Sequence, residues 1–385
     1  MTRSLLVVTS IHDDFDKRIW RHAVSMAETG YTVHLVCPWV VTEESEKVEG
    51  IFFHPFERVT KRRQRPYLVP IRLWKKIQPL INKVDIIHFH DIDILPWMAM
   101  ISLFKPVVYD VHENYADEML VRDWIPGFLR LPLYWAVNTG QYICSRMIRN
   151  IVLVTEAQKK DFNSPRINSI IVHNYASLKL IDDAANDYLT RDQAIIFPGS
   201  QYMSNGTMFL LDIAQMTKKE IPDIKFLISD AFESERFRER FIRELKSRKL
   251  EDMFEIMPMV PSSEIIKLLN RATISINPVL RVRKQLRAIN TKLFEFMAAG
   301  IPFISSDLPY PTELVRDTGA GLLAQPESAA SFAKQIYRLA QDRQFALFLG
   351  KNGQRAFNDR YSWESQMPVL KHFYESISPP GDIVT

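Results

Sequence analysis

Short apolar runs alternate with helical stretches along most of the chain, and this alternation restricts the possible folds more than any other feature. The first apolar run spans Leu5 to Thr9 and is followed by a helical stretch at 16–29, by Gly30 and by a second run at 31–37. A continuous apolar run is typical of a strand buried on both faces, and glycine commonly follows the last turn of a helix. Strands that alternate with helices form parallel sheets covered by helices, so the sequence predicts an α/β fold.

The alternation occurs twice, with a polar segment at 182–187 between the two series. Further strands are predicted in both series, at 84–89, 106–109, 151–154, 194–197, 224–228, 254–257, 273–277 and 302–305. A chain of 385 residues is long enough for two domains. We predict two Rossmann-like, doubly wound domains at 1–180 and 190–362 that face a cleft, and a last helix at 363–378 that packs back on the first domain.

The composition is that of a folded globular protein, with 46% hydrophobic and 24% charged residues. Only two cysteines, Cys37 and Cys144, are present, which is too few for a disulfide framework or a zinc site and favours a reducing compartment. The first apolar run is too short for a secretory signal, and nowhere do about 18 apolar residues follow one another. We therefore expect a cytoplasmic location without a membrane span.

The segment 58–76 contains eight basic residues and no acidic residue. Such a run either binds anionic lipid headgroups, as a peripheral contact with the inner face of the membrane, or forms a solvated loop. The chain contains none of the usual nucleic-acid-binding motifs, so we do not expect a nucleic-acid partner. The aromatic-rich stretch 119–147 leaves a similar choice between a surface for a lipid-linked acceptor or the bilayer and a pair of helices that face the core.

Residues 290–302, which read N-T-K-L-F-E-F-M-A-A-G-I-P, predict a helix that begins after a strand and a basic loop. The first amides of such a helix favour an anionic ligand such as a diphosphate, and Lys292 adds a cation. Glu295 lies one turn into the helix, where its carboxylate could accept hydrogen bonds from the two hydroxyls of a ribose. The alternative is a purely structural amphipathic helix in which Leu293, Phe296 and Met297 face the core.

The segment 291–302 resembles the donor motif of the retaining GT-B glycosyltransferases of family four, of the bacterial surface-polysaccharide type. Other segments resemble further motifs of that family in the same order: D-K-R-I at 16–19, D-I-I-H-F-H-D at 85–91, Y-D-V-H-E at 109–113, V-H-N-Y at 172–175 and Y-S-W-E at 361–364. The resemblance covers nearly the whole chain. It implies an acceptor-side first domain and a second domain that binds a nucleotide-sugar donor.

The resemblance also implies roles for individual residues. Glu295 would hold the donor ribose, the amides of Thr291 and Lys292 would hold the distal phosphate, and His112 would lie beside the transferred sugar. The predicted catalytic residues are His112 and Glu113. The remaining predicted donor-binding residues are Asn290, Arg287, Arg283, Gly199 and Ser200, and the predicted acceptor-side residues are Asp16, Arg18 and His12.

In this family the leaving phosphate helps to deprotonate the acceptor on the same face of the sugar. The resemblance therefore implies a nucleotide-diphosphate sugar as co-substrate, a glycan or lipid-linked acceptor, no carboxylate nucleophile, no cofactor and no metal. His88, His90 and Asp91 could instead be metal ligands, but on a strand Asp91 points away from the face that the two histidines share. His112 also has a structural alternative, as an ordered residue hydrogen-bonded next to a strand.

The sequence departs from the family pattern in three respects. Arg287 stands where many relatives carry a glutamate, and Ser200 and Asn205 stand where many carry the two cations that clamp the diphosphate. The basic loop 281–287 is a candidate replacement for those cations. In the first loop, residues 12–14 replace a pair of glycines. The departures leave open a catalytically silent scaffold protein with the same fold, and a nucleotide-sugar epimerase is a third possibility.

Overall fold

The computed structural model describes residues 3–11, 17–38, 50–59, 61, 64–112, 115–121, 125–179, 188–261 and 264–377. The chain forms two compact units. The first, unit 1, comprises Met1–Asn174 together with Gln366–Thr385, and the second, unit 2, comprises Tyr175–Ser365.

Unit 1 is built on a seven-stranded sheet in which every strand pairs in parallel with its neighbours. In chain order its strands are β1 (Ser4–Val8), β2 (Thr32–Val36), β3 (Ile51–Phe53), β4 (Ile86–Phe89), β5 (Val107–Val111), β6 (Asn150–Leu153) and β7 (Asn168–Ile171). Their order across the sheet is β3-β2-β1-β4-β5-β6-β7. All residues of β4 and β5 are buried, as a strand covered on both faces requires.

Five helices of unit 1 connect these strands. They are α1 (Lys17–Glu28), α2 (Arg65–Ile77), α3 (Leu95–Ile101), α4 (Tyr115–Val121) and α5 (Gly127–Ile148). The core of the unit lies between the sheet and these helices and includes Val36, Leu73, Ile87, Met98 and Tyr109.

Unit 2 is built on a six-stranded parallel sheet. Its strands are β8 (Ala194–Phe197), β9 (Lys225–Ser229), β10 (Phe254–Met257), β11 (Ile274–Asn277), β12 (Phe303–Ser306) and β13 (Gly321–Ala324), arranged in the order β10-β9-β8-β11-β12-β13. Its helices are α6 (Phe209–Thr217), α7 (Glu235–Ser247), α8 (Ile265–Leu269), α9 (Arg283–Arg287), α10 (Lys292–Ala298), α11 (Pro309–Thr318), α12 (Ala329–Gln341) and α13 (Arg343–Asp359). The predicted fold class of two parallel α/β domains is therefore confirmed.

Local sequence explains where several of these helices begin and end. The side chains of Ser234, Ser328 and Asp342 accept hydrogen bonds from backbone amides at the starts of α7, α12 and α13. Gly300 and Gly319 follow α10 and α11 with φ values of 64° and 61°, a conformation that glycine adopts without strain.

The last helix, α14 (Met367–Ile377), belongs to unit 1 and lies against β7. It begins four residues after the predicted start at 363, because Glu364–Gln366 form a separate 3-10 turn. Trp363 remains in unit 2, where its amide donates to the Ala176 carbonyl oxygen over 2.8 Å. No helix in the described part of the chain is both long enough and apolar enough to cross a bilayer.

The strand order of each sheet reverses once, between β1 and β4 in unit 1 and between β8 and β11 in unit 2. Beyond the carboxyl ends of the strands, the loops on the two sides of such a reversal diverge and leave a crevice. Open parallel sheets bind their ligands there. The loops that follow β1, β4, β8 and β11 are therefore the places to look for a functional site.

Candidate functional site

The loop that follows β8 turns at Gly199. Its backbone has a φ of 80°, and its amide donates to the Ser229 hydroxyl over 3.1 Å. The side-chain amide of Gln201 donates to the carbonyl oxygens of Phe197 (3.2 Å) and Gly199 (2.9 Å). These bonds fix the loop against the ends of β8 and β9, so the backbone at Gly199 and Ser200 is held in one conformation.

The loops on the two sides of the reversal in unit 2 are tied together. Asn205 donates through Nδ2 to the Ser200 carbonyl oxygen (2.9 Å) and accepts through Oδ1 from Gln285 Nε2 (2.9 Å). A Cβ atom at Gly206 would lie 2.0 Å from the Pro278 carbonyl oxygen, so only glycine allows the two loops to approach this closely. Ser200 and Asn205 thus interact with each other, and Asn205 also contacts α9.

The bond between Gln285 and Asn205 also places a basic helix beside the β8 loop. Lys284 and Arg287 belong to α9 with Gln285, within one helical turn of it. Arg283 opens the same helix, and Arg281 precedes it; both are exposed, whereas Arg287 is half-buried. Four basic side chains therefore lie close in sequence to the residue that contacts Asn205.

Lys292, at the start of α10, reaches back to the same loop. Its ammonium donates to the Pro198 carbonyl oxygen over 3.1 Å and lies 4.3 Å from the centre of the Phe197 ring. Burial lowers the pKa of Lys292 to about 8, against the opposing effect of the Glu295 carboxylate. At neutral pH most of the ammonium is still protonated, so the structure holds a cation at the mouth of the β8 loop.

The first turn of α10 has one side that packs in the core and another that is accessible to solvent. Leu293 and Phe294 are buried, and their amides donate to the carbonyl oxygens of Asn290 (3.0 Å) and Thr291 (3.1 Å). The amides of Thr291 and Lys292 precede this bonding pattern, as the first amides of a helix do. Thr291 is exposed, and Asn290 and Glu295 are half-buried. The helix therefore packs on its apolar side while its first turn and Glu295 remain reachable.

In unit 1, the predicted acceptor-side residue Arg18 lies in the interior. Its Nε and Nη2 atoms donate to the two carboxylate oxygens of Asp110, both over 3.0 Å, and its Nη1 donates to the Val172 carbonyl oxygen over 3.0 Å. Both side chains are almost completely buried. This arrangement links α1 to β5 and to the segment after β7, so Arg18 positions these elements.

A chain of hydrogen bonds extends from Asp110 into a group of buried histidines, His22, His88 and His90, which we call the histidine cluster. His88 Nε2 lies 3.3 Å from Asp110 Oδ2, and the Tyr374 hydroxyl lies 2.7 Å from both His88 Nδ1 and His22 Nε2. The neighbours determine the tautomers, because a carboxylate only accepts. His88 donates to Asp110, Tyr374 donates to His88, and His22 donates to Tyr374.

Burial lowers the pKa of all three histidines, most strongly for His22 and His90, so the cluster is neutral near pH 7. Although burial raises the pKa of Asp110, the Arg18 guanidinium and the bond from His88 hold it well below its usual range. The buried negative charge of Asp110 is balanced by the positive charge of Arg18. Because the imidazoles around them are neutral, they form the hydrogen bonds of the chain without adding another buried charge.

The same residues provide the nearest approach to a metal site among the described residues. The side chains of His22, His88 and His90 offer ligand atoms within 4.8 Å of one another, as do those of His90, Asp110 and His112. In the first group, His22 Nε2 and His88 Nδ1 already hydrogen-bond to the Tyr374 hydroxyl. Asp91 belongs to neither group and accepts instead from Thr9 and Ser10. The expectation that no metal is used stays a prediction.

His112, the predicted catalytic histidine, follows β5 directly and is half-buried. Its ring lies edge-on to those of His90 (5.7 Å between centres) and Tyr115 (6.2 Å). It thus stands at the carboxyl end of β5, one strand away from the strand-order reversal in unit 1. The other predicted residues of this region, Glu113, His12 and Asp16, lie outside the described residues.

Two family models match the chain in succession and leave few residues between them. The model for Glycosyltransferase Family 4 matches residues 8–174, and the model for Glycosyl transferases group 1 matches residues 192–342. The chain belongs to the GT4-like glycosyltransferases. A comparison with curated protein sequences finds no significant match.

Solved structures show that this GT4-like glycosyltransferase has the GT-B fold. A sucrose-phosphate synthase from Thermosynechococcus elongatus superimposes with a TM-score of 0.73 at 15% identity, over 97% of this chain and 99% of that chain. HepE from Anabaena, in complex with UDP and glucose, superimposes with a TM-score of 0.71 at 13% identity, over 98% and 100% of the two chains. A trehalose 6-phosphate synthase from Burkholderia multivorans gives a TM-score of 0.71 at 11% identity, over 98% and 99%.

Several residues of the GT4-like chain take part in these networks without having been predicted as site residues. Tyr374 and His22 complete the chain of bonds to Asp110, and Gln285 joins α9 to the β8 loop. His22 stands on the buried side of α1, a position where periodicity predicts an apolar residue, and this polar exception was a usable signal. Tyr374 and Gln285 carried no local signal.

Proposed function

We propose that this glycosyltransferase moves a sugar from a nucleoside-diphosphate donor to a glycan or lipid-linked acceptor with retention of anomeric configuration. We place the reaction in cell-surface polysaccharide or glycolipid synthesis, at the inner face of the cytoplasmic membrane. The observation that carries the donor part is the arrangement at the strand-order reversal of unit 2, where Lys292 meets the β8 loop and Glu295 remains accessible.

In this proposal each group of unit 2 has a chemical task. Glu295 accepts hydrogen bonds from the ribose hydroxyls, and the first amides of α10 together with Lys292 bind the distal phosphate. The departing diphosphate gains negative charge as the glycosidic bond breaks. A cation and amide donors fixed in advance stabilise that charge without having to reorganise, so they accelerate the reaction rather than merely binding the donor.

The basic helix α9 supplies the compensation for the missing clamp cations. Its residues Lys284 and Arg287 flank Gln285, which bonds to Asn205, the position of one missing cation. Each charge-assisted contact contributes about 1.5–3 kcal/mol, so two recruited cations would restore most of what Ser200 and Asn205 no longer provide. We propose that these groups make a metal unnecessary, and unchanged turnover after treatment with EDTA is the expected result.

Donor binding is tested by a thermal-shift panel of nucleoside diphosphates and their sugars, beginning with UDP and UDP-glucose because HepE is described in complex with both. Wild-type protein should be stabilised by at least one donor, and Glu295→Gln should lose most of that shift. Glu235→Gln, on the exposed first turn of α7, is the matched control and should keep it. No stabilisation by any nucleotide would refute the donor site.

Lys292→Met separates binding from catalysis. Because the ammonium acts most strongly on the developing charge, kcat should fall by about 10²- to 10³-fold, the usual effect of losing one such donor. Lys219→Met, at an exposed position after α6, should leave turnover unchanged. Retention is read from the anomeric proton of the first product by NMR, and an inverted product would contradict the proposal.

A catalytically silent binding protein is the second candidate, and the internal bonds of Asn205 favour it. Asn205 and the Ser200 backbone satisfy each other and Gln285 instead of facing a ligand. A silent scaffold protein would bind no donor, so no nucleotide would raise its melting temperature. An epimerase would release an altered nucleotide sugar without an acceptor, which product analysis by chromatography distinguishes.

A further inference from the structure

Unit 1 exposes many large apolar side chains on α2, α3 and α5 and on the turn that follows α3. The most exposed side chains are Phe128 (79%), Leu103 (73%), Phe104 (65%), Met100 (60%) and Trp135 (59%). Scattered apolar residues are normal at a protein surface, whereas a contiguous apolar patch marks a binding surface. These side chains mark a binding surface if they are contiguous.

On each helix the exposed apolar residues recur with the period of the helix and so share one face. On α2 they are Tyr67, Ile71 and Trp74, and on α3 and its following turn they are Trp97, Met100, Leu103 and Phe104. On α5 Phe128, Leu131, Trp135 and Tyr142 form this row, and the exposed Leu129 and Ile143 lie to one side of it. We call these residues together the aromatic face.

The three helices are neighbours. Trp74 of α2 and Trp97 of α3 line the same shallow apolar groove, and α3 packs directly against α5. Helix α5 has 22 residues, of which only Gln141, Ser145 and Ile148 are fully buried, all in its last two turns. The alternative that this stretch forms a core-facing helix pair therefore does not hold for the first part of α5.

Charge identifies the partner. The three helices contain no aspartate or glutamate, although the whole chain has nearly as many acidic residues as basic ones. They carry six basic residues: Arg65, Arg72, Lys75, Lys76, Arg130 and Arg146. Arg72 pairs with Glu57 outside the helices, and Arg146 stacks on the Tyr142 ring at 3.3 Å. Aromatic and apolar side chains on helices with an excess of basic residues match an anionic lipid surface.

We propose that the aromatic face binds an anionic lipid bilayer and anchors the protein to it as a peripheral protein. Tryptophan and tyrosine prefer the boundary between headgroups and acyl chains, where Trp97, Trp135 and Tyr142 enter, while Lys75 and Lys76 contact the headgroups. The more deeply apolar Phe104 and Phe128 enter the acyl region.

A second copy of the chain is a poorer occupant of the same face. In a symmetric dimer the same surface meets itself. The exposed Lys75 and Lys76 would then meet the same basic surface of the second copy, which is unfavourable for a protein interface but is what an anionic membrane attracts. The proposal does not rest on the nucleotide site, because lipid binding needs no donor.

The test is co-sedimentation of the full chain with vesicles of phosphatidylcholine, with and without phosphatidylglycerol. Wild-type protein should bind the anionic vesicles much more strongly. Lys75→Gln/Lys76→Gln should weaken that binding by about fivefold per residue removed, with a smaller salt dependence. Phe128→Ser/Trp135→Ser should weaken binding at both low and high salt, because the apolar contribution is not screened.

Matched controls come from unit 2. Phe348→Ser removes a 58% exposed aromatic side chain from α13, and Arg236→Gln/Arg240→Gln removes two exposed basic residues from α7. Both should bind vesicles like wild type. All substituted side chains are exposed, so thermal unfolding should be unchanged in every variant and confirms that each is folded.

Two results would overturn the proposal. One is wild-type protein that does not bind anionic vesicles, or control variants that lose binding as much as the face variants do. The other is a dimer, measured by light scattering in solution, that Phe128→Ser/Trp135→Ser disrupts in the absence of lipid binding. Because the assay contains no nucleotide, its failure leaves the thermal-shift result for the donor site unaffected.

Discussion

Removal of one hydroxyl, in Tyr374→Phe, should destabilise unit 1 far more than the size of the group suggests. The hydroxyl of Tyr374 is the shared partner of His22 Nε2 and His88 Nδ1, each at 2.7 Å. The substitution keeps the ring and its packing but leaves a buried donor and a buried acceptor without a partner. An unsatisfied buried polar group costs about 1–3 kcal/mol, so two such groups together cost about 2–6 kcal/mol.

Relaxation of the two rings places the expected loss in the lower part of that range, at about 2–4 kcal/mol. For a domain of this size each kcal/mol corresponds to roughly 2–4 °C in Tm, which gives a decrease of about 4–16 °C. The assay is urea unfolding followed by tryptophan fluorescence. Six of the seven tryptophans precede residue 136, so the signal reports mainly on unit 1.

The control lies in the same core. Tyr31 is 5% exposed, its ring centre is 6.1 Å from that of Tyr374, and its hydroxyl has no hydrogen-bond partner among the described residues. Tyr31→Phe removes the same atom from a similar environment but breaks no bond, so stability should be unchanged or slightly higher. Equal losses in the two variants would show that the hydroxyl of Tyr374 stabilises nothing specific and would refute the assigned chain of bonds.

Three further predictions follow from the same structure. The folded state lowers the pKa of the histidines in the cluster below the ordinary value of 6.5, so below that pH the unfolded state binds more protons than the folded state. The free energy of unfolding should therefore fall as the pH is lowered from 7 to 5, and urea unfolding at each pH measures it. Asp110→Asn leaves Arg18 as a buried charge without its partner and should cost about 3–5 kcal/mol in the same assay, whereas Asp223→Asn, at an exposed position, should stay within about 0.5 kcal/mol. Gly206→Ala should separate the two loops of unit 2 and reduce the thermal shift by nucleotides, while Gly140→Ala, a helical position with open space around it, should leave that shift intact.

The sequence predicts those strands and helix ends that depend on a continuous local pattern of residues. Apolar runs buried on both faces identified β1, β5 and β8 to within one or two residues, and Gly300 marked the end of α10. The strands β3, β7 and β13 were missed for physical reasons. β3 has only three residues, β7 is only partly buried, and β13 begins with a glycine and contains only two large apolar residues, Leu322 and Leu323.

The candidate site divides in the same way. The start of α10 is predictable because helix, cation and carboxylate lie within six residues. Pairings across long distances are not, since Tyr374 and His88 are 286 residues apart and Gln285 and Asn205 are 80 apart. Local sequence does not indicate which distant polar side chain another will contact, so the bonds of Arg18 to Asp110 and Val172 could not be predicted. Its role at the acceptor side stays a prediction.

The position of Tyr374 on α14 also sets the order in which the protein can mature during synthesis. Unit 1 is discontinuous, and its hydrogen-bond chain through His22 and His88 stays incomplete until residue 374 has emerged from the ribosome. Unit 2, at Tyr175–Ser365, is continuous and is synthesised entirely before that moment. Unit 1 is therefore begun first but completes its folding last. In a nascent chain arrested before α14, the side of β7 that α14 covers and the side chains of His22 and His88 would be exposed to chaperones.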